Sequence, residues 1–325
     1  MVEITATGEK RLVIVTGRAH PQLAIDVVEH LGADLVHTDA RTFANGEIYA
    51  RYDESVRGSD AFVIQSHTYP INEWLMEQLI MVDALKRASA KRITVVAPFY
   101  PYARQDKKGR GREPISARLV ADLFKAAGAD RIMSVDLHAA QIQGFFDGPV
   151  DHLFAMPVLL KYFQERLDSS TLTVVSPDMG RVRVADIWSD KLGAPLAIIH
   201  KRRDPLVPNK VTVHEIVGEV KGRTCLIVDD MIDTGGTIVK AAEALKEAGA
   251  TNVVVAATHA VFSKPASDVL QSEFIDEVVV TDTLPIPEEK RFPTLTILPI
   301  APLIASAIHE VFSDGSVTSM FDGAA

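Results

Sequence analysis

The sequence predicts an α/β protein built from two similar halves, each a mainly parallel sheet flanked by helices. Three observations carry this expectation. Short β-branched runs recur along the whole chain, and amphipathic stretches separate many of them. The length of 325 residues also suits two domains of roughly 150 residues each. Alternation of strand and helix patterns covers both faces of a sheet and favours parallel strands.

The strand-length runs of the first half are Leu12 to Thr16, Ala61 to Gln65, Ile93 to Ala97 and Ile132 to Val135. Those of the second half are Leu172 to Val175, Ala197 to Ile199, Cys225 to Val228, Val253 to Ala257 and Val278 to Val280. Their length and β-branched content suit strands. Pro21 to Leu31, Glu73 to Ser89, Ser116 to Ala127 and Thr237 to Ala248 carry apolar residues at helical spacing, as helices packed on a sheet require. Lys125-Ala126-Ala127-Gly128-Ala129 is echoed by Lys246-Glu247-Ala248-Gly249-Ala250, and each following apolar run ends at His-Ala, His138-Ala139 and His259-Ala260. This echo reads either as a common helix-to-strand joint at glycine or as a duplication.

The boundary is expected near Met156-Pro157, after the Gly- and Pro-containing stretch Phe146 to Val150. The domains are thus 1–155, joined by a returning C-terminal helix within 302–325, and 156–301. That helix is expected over Pro302 to Val311. The tail from Ser313 to Ala325 has few large apolar residues and is expected to fray.

Composition narrows the function. Hydrophobic residues make up 47% and charged residues 24%, a globular balance. The net charge of −9 opposes nucleic-acid binding, so no nucleic-acid partner is expected. Cys225 is the sole cysteine, which rules out an intrachain disulfide and any multi-cysteine metal site. No run approaches the ~18 apolar residues of a membrane span, and the start of the chain lacks a basic segment followed by an apolar one. A soluble cytoplasmic protein with no membrane partner is therefore expected.

The strongest local signal is Val228-Asp229-Asp230-Met231-Ile232-Asp233-Thr234-Gly235-Gly236-Thr237, between a buried-strand pattern and a helix pattern. Such a turn directs backbone N–H groups outward. Its glycines let an anion approach closely, Thr234 and Thr237 add hydroxyl donors, and the helix N-terminus favours negative charge. Asp229 and Asp230, at the strand end, suit hydrogen bonds from neutral hydroxyls or a hydrated metal. Phosphate beside a diol points to a sugar phosphate. The bland alternative is an ordinary strand-to-helix turn capped by Asp and Thr.

This loop resembles that of the type I phosphoribosyltransferase family. Across almost the whole chain, the sequence is similar to the ribose-phosphate diphosphokinase (phosphoribosyl pyrophosphate synthetase) family within that superfamily. The likeness is carried by Phe43-Ala44-Asn45-Gly46-Glu47, Tyr102-Ala103-Arg104-Gln105-Asp106, Arg112-Glu113-Pro114-Ile115-Ser116 and Val135-Asp136-Leu137-His138. It continues through Gln141-Ile142-Gln143-Gly144-Phe145-Phe146, Ser176-Pro177-Asp178, Lys201-Arg202-Arg203 and the Asp233 to Thr237 loop.

The resemblance implies two phosphoribosyltransferase-like domains, an ATP-side N-terminal one and a C-terminal one that binds ribose 5-phosphate. It implies transfer of the diphosphate group of MgATP to the C1 hydroxyl of ribose 5-phosphate, giving 5-phosphoribosyl 1-diphosphate and AMP for nucleotide biosynthesis. By the same resemblance Lys201 and Arg203 are catalytic, and Phe43, Asn45, Gly46, Glu47, Arg104 and Gln105 bind ATP. Asp229, Asp230, Asp233, Thr234, Gly235, Gly236 and Thr237 bind ribose 5-phosphate, and His138 and Asp178 contact Mg²⁺. It further implies a homohexamer whose ATP site is shared between subunits.

Read on their own, the residues fit this chemistry. Two anionic substrates must meet, so cations should dominate over covalent catalysis. Lys201 to Arg203 follow a strand and precede the turn-rich Asp204 to Asn209; taken alone such a run reads as a solvated surface, and the resemblance makes it a loop able to close over phosphates. Arg104 to Arg118 is basic with glycines at 109 and 111, suited to polyphosphate, and lacks the repeated aromatics of base stacking. His152 and His200 are assigned no role, and His259 is read as structural or as a pocket wall.

One segment departs from the family pattern. Arg181 stands where the family commonly has a second glycine, and Val184 where it has an arginine. The change reads either as an added cation for anion binding or as bulk that narrows the site, with Arg183 a candidate replacement one position away. Two competing functions share parts of the sequence. A phosphoribosyltransferase explains the phosphate loop but not the first half or the Lys201 to Arg203 segment. A noncatalytic homologue should lose the matched Lys201, Arg203, His138 and Asp178, which this chain keeps.

Overall fold

The computed structural model describes residues 10–202 and 213–321. The chain divides into two compact units, Met1–Phe154 with Ala301–Ala325, and Ala155–Ile300.

The first unit begins with β1 (Leu12–Thr16), α1 (Pro21–Leu31), β2 (Thr38–Thr42), β3 (Ile48–Tyr52), β4 (Asp60–Ile64) and α2 (Ile71–Arg87). It continues through β5 (Arg92–Val96), α3 (Ser116–Ala127), β6 (Arg131–Val135), a 3₁₀ turn at Ala140–Gly144 and β7 (Val150–Leu153). Its main sheet has the order β1-β4-β5-β6-β7 with all neighbours parallel. Val13, Ile14 and Val15 are buried opposite Ala61, Phe62 and Val63. A strand covered on both faces thus reads as an unbroken apolar run rather than an alternating one. α1 opens on proline, buries Leu23, Ala24, Val27 and Val28 at helical spacing, and ends at Gly32 with φ 62°. β2 and β3 form a separate antiparallel hairpin.

The second unit runs α4 (Met156–Gln164), β8 (Leu172–Ser176), α5 (Val182–Leu192), β9 (Leu196–Arg202), β10 (Val213–Val217) and β11 (Thr224–Ile232). It continues α6 (Gly236–Glu247), β12 (Asn252–Ala260), α7 (Ala266–Val269), β13 (Glu277–Thr281) and β14 (Leu295–Leu298). The sheet order is β10-β9-β8-β11-β12-β13-β14, parallel throughout except for the β9/β10 pair. Ile227, Val255 and Val278 form its core with Ile238, Ala242 and Leu245 of α6. The chain then returns to the first unit, where α8 (Ala301–Phe312) packs on α1.

The echoed segments occupy equivalent joints. α3 ends at Gly128 with φ 121° before β6, and α6 is followed by Gly249 with φ 92° before β12. Both are places where a left-handed backbone favours glycine. The strands that apolar runs do not reveal are β2 and β3, which are half-buried or exposed, and the peripheral β7, β10 and β14. α4, α5 and the four-residue α7 also lie beyond the expected helices.

The tail corrects an expectation. Residues 313–321 do not fray: Asp314 pairs with Lys10 and with Arg92, and Val317–Phe321 forms a 3₁₀ turn. Phe321 is buried against the edge of Phe154, ring centroids 5.3 Å apart. The Ser316 amide also donates to Oε2 of Glu310 at 2.9 Å and the Gly315 amide to the Glu310 carbonyl at 2.7 Å. Among the described residues, no helix is long and apolar enough to cross a membrane.

Candidate active site

The β11–α6 turn is built around a backbone conformation that requires glycine. Cys225 to Val228 are buried, and the polar Asp229 and Asp230 follow on the same strand, which runs on to Ile232. Gly235 then takes φ 77° as the residue before α6. A Cβ there would lie 3.0 Å from Cγ2 of Val269 and 3.3 Å from Cγ of Leu270, so the torsion strains any side chain and the packing crowds it. The cap residue therefore offers no acceptor to the first-turn amides of α6, and no acidic residue lies in that turn. Thr234 and Thr237 are exposed and Asp233 is half-buried, which leaves an electropositive helix end lined by hydroxyls.

Asp229 and Asp230 share a counterion. Arg181 places Nε 3.2 Å from Oδ1 of Asp229 and an Nη 2.7 Å from Oδ1 of Asp230. Burial, and then the neighbouring Asp230 charge, push the Asp229 carboxyl up to about 8, with Arg181 opposing the shift. Arg181 is delivered by the loop after β8. There Oδ1 of Asp178 accepts hydrogen bonds from the Gly180 and Arg181 amides at 2.8 and 3.2 Å. The Ser176 hydroxyl donates to the Asp178 carbonyl at 2.7 Å. Arg183, in the first turn of α5, is exposed.

In the first unit, the Phe43 to Glu47 segment is the β2–β3 turn. The Phe43 amide donates to the Glu47 carbonyl at 2.7 Å, Oδ1 of Asn45 accepts from the Glu47 amide at 3.2 Å, and Gly46 has φ 90°. The turn leaves Phe43 46% exposed. Its ring meets Tyr49 edge-on at 6.0 Å, and the Arg41 guanidinium lies over both rings. The hairpin is tied to the unit's interior by residues without a sequence motif. Nε of Arg18 donates to the fully buried Glu77 at 2.6 Å and an Nη donates to the Thr42 hydroxyl at 3.0 Å. Gln65 also donates to Glu77, at 3.0 Å.

Arg104 and Gln105 are exposed between β5 and α3. The Gln105 carbonyl accepts from the Ala117 amide at 3.2 Å and its side-chain oxygen accepts from the Ser116 hydroxyl at 2.6 Å, which fixes the segment to the start of α3. Glu113 folds the adjoining basic loop by accepting from the Gly109 and Arg110 amides, each at 2.8 Å. His138 follows β6 and is half-buried. The Leu137 amide beside it donates to Nε2 of His152 at 2.9 Å. His152 therefore holds the His138 segment, a function that a lone histidine on a strand does not announce in sequence. His259 is buried with Nδ1 2.9 Å from the Thr283 hydroxyl, a structural contact, and His200 is exposed.

Lys201 pairs through its backbone with His214 in the β9–β10 ladder. Its side chain, and the whole of Arg203, lie outside the described residues. His138 and Asp178 belong to different units. Among the described residues no three His, Cys, Asp or Glu side chains gather as a metal cage. Magnesium takes oxygen ligands and normally keeps water and substrate phosphate in its coordination shell, and the Asp178 carboxylate is an oxygen donor of that kind.

Residues 12–128 match the family described as the N-terminal domain of ribose phosphate pyrophosphokinase, and residues 197–322 match the phosphoribosyl synthetase-associated domain. The ribose-phosphate pyrophosphokinase of Streptomyces avermitilis is 66% identical over 322 residues, covering 99% of each chain. The chain belongs to the ribose-phosphate pyrophosphokinase family. The Mycobacterium tuberculosis pyrophosphokinase is 62% identical over 97% of both chains. The crystal structure of phosphoribosylpyrophosphate synthetase from Mycobacterium smegmatis matches with a TM-score of 0.90 at 60% identity, covering 94% of this chain and all of that one. As a pyrophosphokinase family member, the chain consists of two phosphoribosyltransferase-like domains, each a mainly parallel sheet flanked by helices.

Proposed function

We infer that the chain transfers the diphosphate group of MgATP to the C1 hydroxyl of ribose 5-phosphate. The C1 oxygen bonds to the β-phosphorus, the bond from that phosphorus to the α–β bridging oxygen breaks, and AMP leaves with the bridging oxygen while the hydroxyl gives up its proton. One observation carries the reading: a helix start whose N-cap is Gly235, with Asp229 and Asp230 on the strand that feeds it, in a chain 66% identical to a ribose-phosphate pyrophosphokinase. The turn suits the 5-phosphate and the carboxylates suit the sugar hydroxyls.

The remaining roles rest on family resemblance together with local geometry. Asp233, Thr234, Gly235, Gly236 and Thr237 hold the phosphate. Phe43 stacks on the adenine while Asn45, Gly46 and Glu47 shape the turn that presents it, and exposure of the Phe43 ring supports this. Arg104 and Gln105 contact ATP. Lys201 and Arg203 neutralise charge that develops as the β-phosphorus changes partners. Asp178 and His138 would contact magnesium, which supplies Lewis-acid charge neutralisation to the phosphates when bound. A homohexamer with an ATP site shared between subunits belongs to the same reading, as does a cytoplasmic location, which the single buried Cys225 supports.

The test is AMP formation from ATP, Mg²⁺ and ribose 5-phosphate, run beside Lys201→Ala. The wild-type chain should form AMP only with all three present, and the variant should lose about a hundredfold or more in kcat. Equal rates in the two proteins would remove Lys201 from the chemistry.

A further inference from the structure

We propose that Arg181 is the counterion that aligns Asp229 and Asp230 for the sugar hydroxyls, and is therefore a positioning residue for ribose 5-phosphate. The inference rests on the ribose 5-phosphate reading above and adds a role for a residue outside the glycine turn. The substrate is a dianion, yet its sugar must settle against two adjacent carboxylates. Those side chains retain only 18% and 9% of their accessible surface, so solvent screens them poorly. Burial and the Asp230 charge already push the Asp229 carboxyl up, so a cation beside the pair favours the ionised form of both acids and offsets their repulsion of the incoming phosphate.

Arg181 meets this need by shape as well as charge. Its Nε and one Nη contact Oδ1 of Asp229 and Oδ1 of Asp230, so a single rigid planar group sets the relative orientation of both acids. The contact engages one oxygen on each acid, and an ionised carboxylate has about four lone-pair sites. The same carboxylates can thus accept sugar hydroxyls while the guanidinium stays in place. The arginine is itself held: Asp178 accepts its amide, and α5 behind it is anchored by buried Ala185, Trp188 and Leu192.

The opposite arrangement, in which the guanidinium competes with the sugar for the carboxylates, predicts the opposite sign. The test compares wild type, Arg181→Gln and Arg181→Lys. Ribose 5-phosphate binding is measured by calorimetry without ATP, and KM for each substrate is measured by AMP release. Arg181→Gln should weaken ribose 5-phosphate binding and raise its KM by about tenfold or more, with KM for ATP changed less than about twofold. Arg181→Lys, which keeps the charge but not the fork, should recover part of the loss. Unchanged or tighter binding in Arg181→Gln would overturn the proposal, as would an equal rise in both KM values with a lowered melting temperature. Should the wild type neither bind ribose 5-phosphate nor form AMP, the assigned function fails first and this inference with it.

Discussion

At the scale of single residues, burial decides which ionisable groups behave unusually. His67 lies fully inside the first unit with Nδ1 3.1 Å from the Phe99 carbonyl. Burial lowers its pKa from 6.5 to about 4, against the pull of that carbonyl. The unfolded chain then binds a proton between these two values that the folded chain does not. Stability should accordingly fall as pH drops from about 6.5 through 4, by up to about 3 kcal/mol. Urea unfolding at a series of pH values should show this slope, and His67→Gln should flatten it. None of this is written in the local sequence, because desolvation is produced by residues distant along the chain. The Arg181 contact with Asp229 and Asp230 is of the same kind: each residue stands out in sequence, but their pairing across some fifty positions does not.

At the scale of elements, the turn before α6 concentrates the site's dependence on backbone shape. Gly235→Ala would force a side chain into a left-handed conformation, at about 1–2 kcal/mol, and against Val269 and Leu270. The expected result is a lower melting temperature together with a raised KM for ribose 5-phosphate, read by thermal unfolding and by AMP release. This element was legible in sequence, since an apolar strand, two acids and a Thr-Gly-Gly-Thr turn follow in strict order. The β2–β3 hairpin was not. Its strands Thr38-Asp39-Ala40-Arg41-Thr42 and Ile48-Tyr49-Ala50-Arg51-Tyr52 are half-buried or exposed, so burial imposed no apolar run on them. Only family resemblance marked Phe43 to Glu47, and only the fold shows the Arg18–Glu77 pair that ties the hairpin down.

For the whole molecule, the return of the chain to its first unit matters most. α8 packs on α1, and the segment after it is fastened by Asp314 to Lys10 and Arg92 and by Phe321 to Phe154. Phe321→Ala should therefore destabilise the protein by about 3 kcal/mol, as for other buried aromatic truncations. Chemical denaturation followed by circular dichroism would measure it, and a change within error would mean that the tail is dispensable. Sequence composition pointed the other way, towards fraying, because a segment with few apolar residues can still be held by one buried ring together with ion pairs and hydrogen bonds.

By itself the amino-acid order determined the two-part parallel α/β organisation, the family and the glycine turn before α6. Each depends on contiguous patterns: buried strands must be apolar, and an anion-binding turn must have glycine where its backbone turns left-handed. Tertiary structure alone decided which charges meet. It gave Asp229 and Asp230 a shared arginine, turned His152 into a support for the His138 segment, and held down the tail. These are long-range contacts of individual polar or aromatic side chains, and such contacts leave no periodic trace in the sequence.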